Sequence, residues 1–155
     1  METIRILLVD DQDMVREGLR SMLQQEMDME VVGEAANVEE ALAYMDLLSP
    51  DVILMDVKIP RMGGIEGTRK LKEKHPSCNV IILTWCEDYL TQASKAGAVG
   101  FLTKQIKREE LAMAIRAVHV CDVALFHDGS PSISKKFVTN CQTNFVSFSP
   151  FHCPD

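Results

Sequence analysis

The stretch Val52–Asp56, VILMD, is an uninterrupted apolar run that ends in a carboxylate. A continuous apolar run of this length is typical of a strand that is buried on both faces of a parallel sheet. Similar runs occur before and after it along the chain, namely IRILLV (4–9), VVG (31–33), VIIL (80–83) and, more weakly, GFL (100–102). The sequence therefore predicts five strands in one largely parallel sheet.

Segments with a helical spacing of apolar residues alternate with these strands. The predicted helical segments are 14–23, 38–48, 65–71, 88–96 and 111–118. Asn37 is a suitable N-cap for the second helix, and Pro50, Pro76 and Gly97 are typical of chain positions where a helix has ended. Five strands that alternate with five helices predict a doubly wound α/β fold, in which ligands bind beyond the carboxyl ends of the strands.

Polar side chains follow the predicted strands at the points where the strands end. They are Asp10 and Asp11 after the first strand, Asp56 after the third, Thr84 after the fourth and Lys104 after the fifth. Any one of them alone is more often a helix cap, a strand-edge hydroxyl or a surface charge. Together they converge on one edge of a parallel sheet, and this convergence predicts a functional site.

The three carboxylates of this set need a positive partner. Two like charges within about 4 Å repel by on the order of 1–4 kcal/mol, depending on screening. An all-oxygen donor set favours Mg²⁺ over softer metals. With the metal and Lys104 available to neutralise phosphoryl oxygens, and Thr84 to hydrogen-bond one of them, the set is arranged to receive a phosphoryl group. Asp56 is the predicted nucleophile and would form an acyl phosphate.

The composition limits the classes of function. The chain has 155 residues, of which 46% are hydrophobic, and its net charge is −7. An acidic surface argues against direct binding of nucleic acid. We expect no membrane span and no signal peptide, because the apolar run in METIRILLVDDQD is short and is followed by carboxylates. Five cysteines without a C-x-x-C pair predict reduced thiols in a cytoplasmic protein.

Four pieces of the sequence resemble the receiver domain of bacterial two-component response regulators, and they are ILLVDDQDMVREGL, DVILMDVKIPRMGG, VIILTW and GAVGFLTK. The segments VVGEAANVEEAL and AIRAV make the likeness closest to receivers of LuxR-type transcriptional regulators. The resemblance covers residues 1–120. It implies a three-layer, flavodoxin-like (βα)5 fold with a five-stranded parallel sheet in the order 2-1-3-4-5.

The resemblance also implies a role for each matching residue. The implied metal ligands for Mg²⁺ are Asp10, Asp11, Asp56 and the backbone carbonyl of Lys58. The implied catalytic residues are Asp56 as phosphoacceptor, Thr84 and Lys104, and the implied switch residues are Thr84 and Phe101. Pro60, Gly63 and Gly64 are expected to shape the loop after Asp56.

In this family a sensor histidine kinase donates the phosphoryl group from a phosphohistidine. The resemblance implies that the chain is a signalling phosphoacceptor rather than a conventional enzyme, with only self-phosphorylation and autodephosphorylation as its own activities. Phosphorylation is expected to shift the population between two conformations and thereby to control homodimerisation and transcriptional output. DNA would be bound only through an output domain.

Residues 121–155 differ in character from the rest. GSPSISKKFVTN is similar to the linker that follows LuxR-type receivers, and CQTNFVSFSPFHCPD is rich in Phe, Ser and Pro. We expect a linker and a disordered or truncated tail, without a complete DNA-binding domain.

Trp85 departs from the family pattern, because a smaller residue usually follows the switch threonine. A bulky ring at this position is expected to cover the phosphorylation site and to slow the access of water. If the ring blocked the site completely, the chain would be a pseudo-receiver, an interaction module with this fold and no phosphorylation.

A second alternative is a haloacid-dehalogenase-like phosphohydrolase. In that reading Asp11-Gln12-Asp13 would supply an Asp-x-Asp nucleophile motif, with Asp11 as nucleophile. The second acidic pair that such an enzyme needs could only be Glu109-Glu110, which lies in a predicted helix.

Overall fold

The computed structural model describes residues 2–120, 137–140 and 145–148. The strands are β1 (Ile4–Val9), β2 (Met29–Ala35), β3 (Val52–Asp56), β4 (Asn79–Thr84), β5 (Gly100–Thr103), β6 (Phe137–Asn140) and β7 (Phe145–Phe148). The helices are α1 (Asp13–Leu23), α2 (Val38–Leu48), α3 (Gly64–Lys74), α4 (Leu90–Ala96) and α5 (Arg108–Val120), and a 3-10 turn (Glu87–Tyr89) precedes α4.

The first five strands are parallel and lie in the order β2-β1-β3-β4-β5. The predicted flavodoxin-like arrangement is therefore confirmed. Two further strands extend the sheet beyond β5, giving the order β2-β1-β3-β4-β5-β7-β6. Strand β7 pairs in parallel with β5, and β6 pairs antiparallel with β7.

Strands β6 and β7 lie in the part of the chain that was expected to be a linker and a disordered or truncated tail. Eight of the residues in 121–155 belong to β6 and β7. The brief Phe-Val-Ser-Phe alternation of 145–148 was the local signal for a strand, since period-two alternation suits a sheet edge. The rest of the expectation, for 121–136, 141–144 and 149–155, falls outside the described residues.

The alternation of side chains along the strands divides the core into two layers. On one face, the strands pack against α1 and α5 through residues such as Leu23, Leu111 and Ile115. On the other face they pack against α2, α3 and α4 through residues such as Leu71 and Ala93. Because both faces are covered, the strands β3 and β4 are buried along their whole length, as their continuous apolar sequences predict.

The helix boundaries follow the predicted signals. Asn37 caps α2, and its side chain accepts a hydrogen bond of 2.9 Å from the backbone N–H of Glu40. Ser49 ends α2 with φ of 47°, and Gly97 ends α4 with φ of 103°. A left-handed backbone carries no steric penalty for glycine, which explains why Gly97 ends α4.

The expected apolar stripe of α1 is only partly buried. Leu23 lies in the core, but Met14 is 83% exposed. Helical spacing reports which residues share a face, whereas the covering of that face depends on the neighbouring elements. No helix within the described part of the chain is both long enough and apolar enough to cross a lipid bilayer.

Candidate functional site

The register of the parallel strands brings the predicted site residues to one edge of the sheet. Val9 pairs with Met55 and Asp56 pairs with Leu83. Thr84 pairs with Thr103. The carboxyl ends of β1, β3, β4 and β5 are therefore level with one another. The residues that follow these ends face a common space, as the strand-end argument predicts.

Lys104 occupies the centre of this edge. Its Nζ lies 3.0 Å from Oδ1 of Asp56 and 3.1 Å from Oδ2 of Asp10. The Lys104 side chain is only 7% exposed, so the ammonium group is held between the two carboxylates with little competition from water. Its backbone N–H donates a 2.9 Å hydrogen bond to the carbonyl oxygen of Thr84, which fixes the start of the loop after β5 against β4.

Asp56 is 8% exposed at the end of β3. Burial raises the pKa of its carboxyl group above the ordinary value, and the neighbouring Asp10 carboxylate raises it further. Lys104 and a hydrogen bond from the backbone of Lys58 lower this pKa but do not cancel the effect of burial. The charged form of Asp56 is thus stabilised incompletely by the protein alone.

Asp10, Asp11 and Asp56 each offer one carboxylate oxygen, and these three oxygens lie within 4.8 Å of one another. Asp10 and Asp56 are buried, whereas Asp11 is exposed at the mouth of the cluster. Hard oxygen donors in this number, with one side open to water, fit Mg²⁺ better than a softer metal. Burial is the main reason that the pKa of Asp56 is raised, and a cation bound to this carboxylate would act in the opposite direction by favouring its charged form.

The loop after Asp56 depends on two glycines. The backbone N–H of Gly64 donates a 2.8 Å hydrogen bond to the carbonyl oxygen of Val57, which closes the loop tightly. A Cβ at Gly64 would lie 1.9 Å from the carbonyl oxygen of Asp56. Gly63 has φ of 78°, in the region that favours glycine. The loop therefore passes close to the end of β3 and holds Lys58, whose backbone reaches Asp56.

The two predicted switch residues lie in adjacent strands. Thr84 is buried at the end of β4, and its Oγ1 accepts a 3.2 Å hydrogen bond from the backbone N–H of Cys86. Phe101 lies deeper in the sheet, opposite Ile82, and is almost completely buried in the α2–α3–α4 layer. Phe101 therefore does not belong to the polar cluster. Any coupling between Phe101 and Asp56 would act through the side chains packed beside β4.

That the Trp85 ring covers the phosphorylation site stays a prediction. The Trp85 side chain is 47% exposed, and it lines a groove of about 230 Å³ between α1 and the loop after β5. Met14, Lys104 and Ile106 also line this groove. The exposed apolar surface of α1 and Trp85 is therefore continuous with the lysine that contacts Asp56. A larger cavity, of about 530 Å³, lies at the opposite end of the sheet beside Asp51 and Asn79.

Two features near the site are not among the predicted site residues. Thr103 is buried beside Thr84 and accepts a 3.3 Å hydrogen bond from the backbone N–H of Gln105. Cys86 is disulfide-bonded, whereas Cys78 is a free buried thiol. The expectation of reduced thiols therefore fits Cys78 and not Cys86. The connectivity of disulfides cannot be deduced from cysteine spacing alone.

Residues 6–116 match the family model described as the response regulator receiver domain. The chain is 41% identical over 150 residues to the response regulator GacA of Pseudomonas viridiflava, which covers 96% of this chain and 68% of that protein. It is 44% identical to GacA of Pseudomonas aeruginosa over 74% of this chain and 55% of that protein. The chain thus spans about half to two thirds of the length of these relatives.

A solved structure with the same fold is a LuxR-family two-component response regulator from Aurantimonas sp. SI85-9A1. Its TM-score is 0.73 at 36% sequence identity, over 77% of this chain and 86% of that chain. The predicted likeness to LuxR-type regulators is therefore confirmed.

Proposed function

Because the chain belongs to the response regulator receiver domain family, we propose that Asp56 accepts a phosphoryl group from a phosphohistidine of a sensor histidine kinase. The observation that carries this proposal is the 3.0 Å contact between Lys104 Nζ and Asp56 Oδ1 inside a cluster of three carboxylates. A lysine buried against a strand-end carboxylate places a positive charge beside the oxygen that would attack phosphorus.

In the proposed reaction a carboxylate oxygen of Asp56 forms the new bond to phosphorus while the bond from phosphorus to the kinase imidazole breaks. The imidazole leaves with the electron pair of that bond, and Asp56 becomes an acyl phosphate. Lys104 is positioned to pair with one phosphoryl oxygen, and the hydroxyl of Thr84 to donate a hydrogen bond to another. Both assignments rest on the placement of these residues at the carboxyl ends of neighbouring strands.

The proposed cofactor is Mg²⁺. Asp10, Asp11 and Asp56 would hold it through carboxylate oxygens, together with the backbone carbonyl of Lys58. When bound, a divalent cation neutralises charge that develops on the transferred phosphoryl group. Asp10 is already fixed for this task, because its Oδ1 accepts a 2.9 Å hydrogen bond from the backbone N–H of Gln12 and its Oδ2 contacts Lys104.

The proposed output is a population shift that starts at Thr84 and Phe101 and changes association with a second copy of the chain, in the cytoplasm. A ligand or modification can shift such an equilibrium only through unequal interaction with the two states. The hydroxyl of Thr84 supplies that inequality here, since it now accepts the Cys86 N–H and would be drawn to a phosphoryl oxygen. Transcriptional control would follow through an output domain of the kind found in LuxR-type regulators.

The phosphohydrolase alternative fits the site less well. It requires Asp11 as nucleophile, but Asp11 is exposed, whereas Asp56 is the buried carboxylate in contact with Lys104. Its second acidic pair, Glu109-Glu110, lies in the first turn of α5 rather than at a strand end. The family assignment independently favours the receiver reading.

The experiment that tests the proposal is phosphorylation of the full chain with acetyl phosphate and Mg²⁺, read by mass spectrometry of the intact protein and of its peptides. We expect one added phosphoryl group on Asp56, no addition in Asp56→Asn and no addition when Mg²⁺ is removed by chelation. Asp13→Asn is the matched control, because Asp13 lies on exposed α1 outside the carboxylate cluster. Phosphorylation of Asp11 would support the phosphohydrolase, and no phosphorylation of the wild type would support the pseudo-receiver.

A further inference from the structure

Arg16 joins three parts of the structure that meet beside the carboxylate cluster. It lies near the start of α1, and its side chain is only 13% exposed. Its Nη1 donates a hydrogen bond back to the backbone carbonyl oxygen of Asp10, directly after β1. Its Nε donates a 3.1 Å hydrogen bond to Oε1 of Glu34 in β2. One guanidinium group can hold both acceptors because its N–H donors are arranged in a rigid plane.

A third contact of Arg16, with Asp13, contributes less to its position. The Asp13 side chain is 88% exposed, and ion pairs of exposed groups are weak because water and salt screen them. The contacts with Asp10 and Glu34 therefore hold Arg16 in place. Glu34 is itself held by Arg20, whose Nη1 lies 2.6 Å from Oε2 of the Glu34 carboxylate.

The turn between β1 and α1 carries two of the proposed Mg²⁺ ligands, and they are held in different ways. The carboxylate of Asp10 accepts the backbone N–H of Gln12 and contacts Lys104. The carboxylate of Asp11 is exposed, and it makes no hydrogen bond or ion pair with the part of the chain that the structure describes. An oxygen of Asp11 nevertheless lies within 4.8 Å of those of Asp10 and Asp56. The backbone of the turn is therefore what places Asp11.

We propose that Arg16 is a positioning residue for the Mg²⁺ site, which fixes the backbone of this turn against β2 and thereby orients Asp11 toward the carboxylate cluster. This inference rests on the proposed function of Asp56 and on its proposed metal. Arg16 acts through the Asp10 carbonyl and does not contact the metal. Groups that orient metal ligands from behind are typically worth about 10- to 100-fold in metal affinity.

The sign of the effect on Mg²⁺ affinity separates positioning from charge. Arg16 is a positive charge near a cation site, so its charge alone disfavours Mg²⁺. If charge were its only influence, Arg16→Gln would bind Mg²⁺ more tightly than the wild type. If Arg16 positions Asp11, this variant binds Mg²⁺ more weakly. Arg16→Lys should bind it more weakly as well, since an ammonium group lacks the planar fork that holds both acceptors.

The test measures Mg²⁺ binding to the full chain by isothermal titration calorimetry, together with the acetyl phosphate reaction at increasing Mg²⁺ concentration. We expect the dissociation constant for Mg²⁺ to rise at least about tenfold in Arg16→Gln and in Arg16→Lys. The Mg²⁺ concentration that gives half-maximal phosphorylation of Asp56 should rise in the same proportion. The rate at saturating Mg²⁺ should be retained, because Arg16 does not contact Asp56 or the phosphoryl donor.

Arg20→Gln is the matched control, because Arg20 pairs with the same carboxylate of Glu34 and has no contact with the turn among the described residues. It should keep the wild-type affinity for Mg²⁺. A double-mutant cycle identifies the ligand through which Arg16 acts. Asp11→Asn alone should weaken Mg²⁺ binding, and the addition of Arg16→Gln should weaken it little further, since both changes remove the same interaction.

Unchanged or tighter Mg²⁺ binding in Arg16→Gln, or fully additive losses in the double variant, would overturn the positioning role. A lowered phosphorylation rate that excess Mg²⁺ does not restore would overturn it too. Far-UV circular dichroism shows whether each variant is folded. Glu34→Gln replaces Arg16→Gln if that variant does not fold, and it should show a smaller loss of the same sign.

Failure of this inference and failure of the proposed function give different results. Mg²⁺ binding by the wild type without phosphorylation of Asp56 would refute the phosphoacceptor and leave the role of Arg16 open to the same calorimetric test. Phosphorylation of Asp56 with equal Mg²⁺ affinity in the wild type and Arg16→Gln would keep the phosphoacceptor and refute the role of Arg16. Absence of Mg²⁺ binding in the wild type would remove the metal site and the role of Arg16 with it.

Discussion

Lys104 Nζ and Asp56 Oδ1 are 3.0 Å apart, and each side chain is less than a tenth exposed. Their contact joins the end of β3 to the loop after β5 across the intervening strand β4. Lys104 also contacts Asp10, so one ammonium group compensates two buried carboxylates. The two buried carboxylates therefore share the ammonium group of Lys104.

Replacing Lys104 by Met should destabilise the protein strongly when no divalent cation is present. Removal of one partner from a buried ion pair leaves uncompensated charge and costs roughly 3–5 kcal/mol. Urea denaturation in chelator should show this loss of unfolding free energy, and Mg²⁺ should restore part of it. Lys95→Met is the control, because Lys95 is exposed on α4, and its effect should stay within about 0.5 kcal/mol. Equal stability of the two variants would contradict the role given to Lys104.

Asp56→Asn should have the opposite effect under the same conditions. The folded-state pKa of Asp56 is raised by burial, so the folded protein holds this proton more tightly than the unfolded chain. Stability should therefore fall as pH rises from the ordinary Asp value through the raised folded value. The amide of the Asp56→Asn variant does not ionise, so this loss of stability does not occur in it. The metal-free variant should therefore be more stable than the wild type at neutral pH, by about 1 kcal/mol from the removed like-charge repulsion. Urea midpoints between pH 4 and 8 test the sign, and a less stable Asp56→Asn protein would refute it.

Much of this site could be predicted from the sequence because its residues follow strands directly. An apolar run indicates a strand, and the first polar residue after it lies at the carboxyl end of that strand. This rule alone places Asp10, Asp56 and Thr84 at one edge of the sheet. After β5 the same rule selects Thr103, and Lys104 follows one residue later, directly after the end of the strand. The five-strand order came from the family resemblance, because alternation alone does not say which strands are neighbours.

Other features depend on contacts between distant segments and had no local signal. The spacing of α1 places Met14 in its apolar stripe, but the described residues leave its side chain 83% exposed. The pairing of β7 with β5 also joins segments that are far apart in sequence. Periodicity describes which side chains share a face, and it contains no information about what meets that face.

Gly64→Ala should disturb the phosphoacceptor loop more than any ordinary glycine replacement. The added Cβ would overlap the carbonyl oxygen of Asp56 at 1.9 Å, and this oxygen is backbone and cannot rotate away. We expect a loss of at least about 2 kcal/mol in unfolding free energy and weaker binding of Mg²⁺. Gly18→Ala is the matched control, because it has open space around it within α1 and should stabilise the helix by up to about 1 kcal/mol. Similar effects of the two variants would show that the loop accommodates the methyl group.

Arg116→Gln should make the protein less stable at neutral pH. It should also reduce the further loss of stability that acid causes. Arg116 on α5 forms a bidentate pair with Asp28, at 2.7 and 2.8 Å, and this hydrogen-bonded pair lowers the pKa of the Asp28 carboxyl. The stabilisation is present above the ordinary Asp pKa and is lost as pH falls through the lowered folded value. A partly exposed pair of this kind contributes roughly 1 kcal/mol. Thermal melts at pH 7 and pH 2.5 should therefore differ less in the variant, and an unchanged difference would contradict the assignment.

Trp85→Ala should shorten the lifetime of the phosphorylated state. Trp85 follows Thr84 directly and lines the same groove as Lys104. Because Lys104 contacts Asp56, we expect the ring to hinder water that approaches the phosphorylated site. The ring is 47% exposed, which favours a severalfold rather than a complete effect, equivalent to about 1 kcal/mol in the barrier for hydrolysis. The decay of acetyl-phosphate-labelled protein, followed on gels that separate the phosphorylated form, measures the rate. Trp85→Phe keeps an aromatic ring and should decay at nearly the wild-type rate, and an unchanged rate in Trp85→Ala would remove Trp85 from the control of the phosphorylated state.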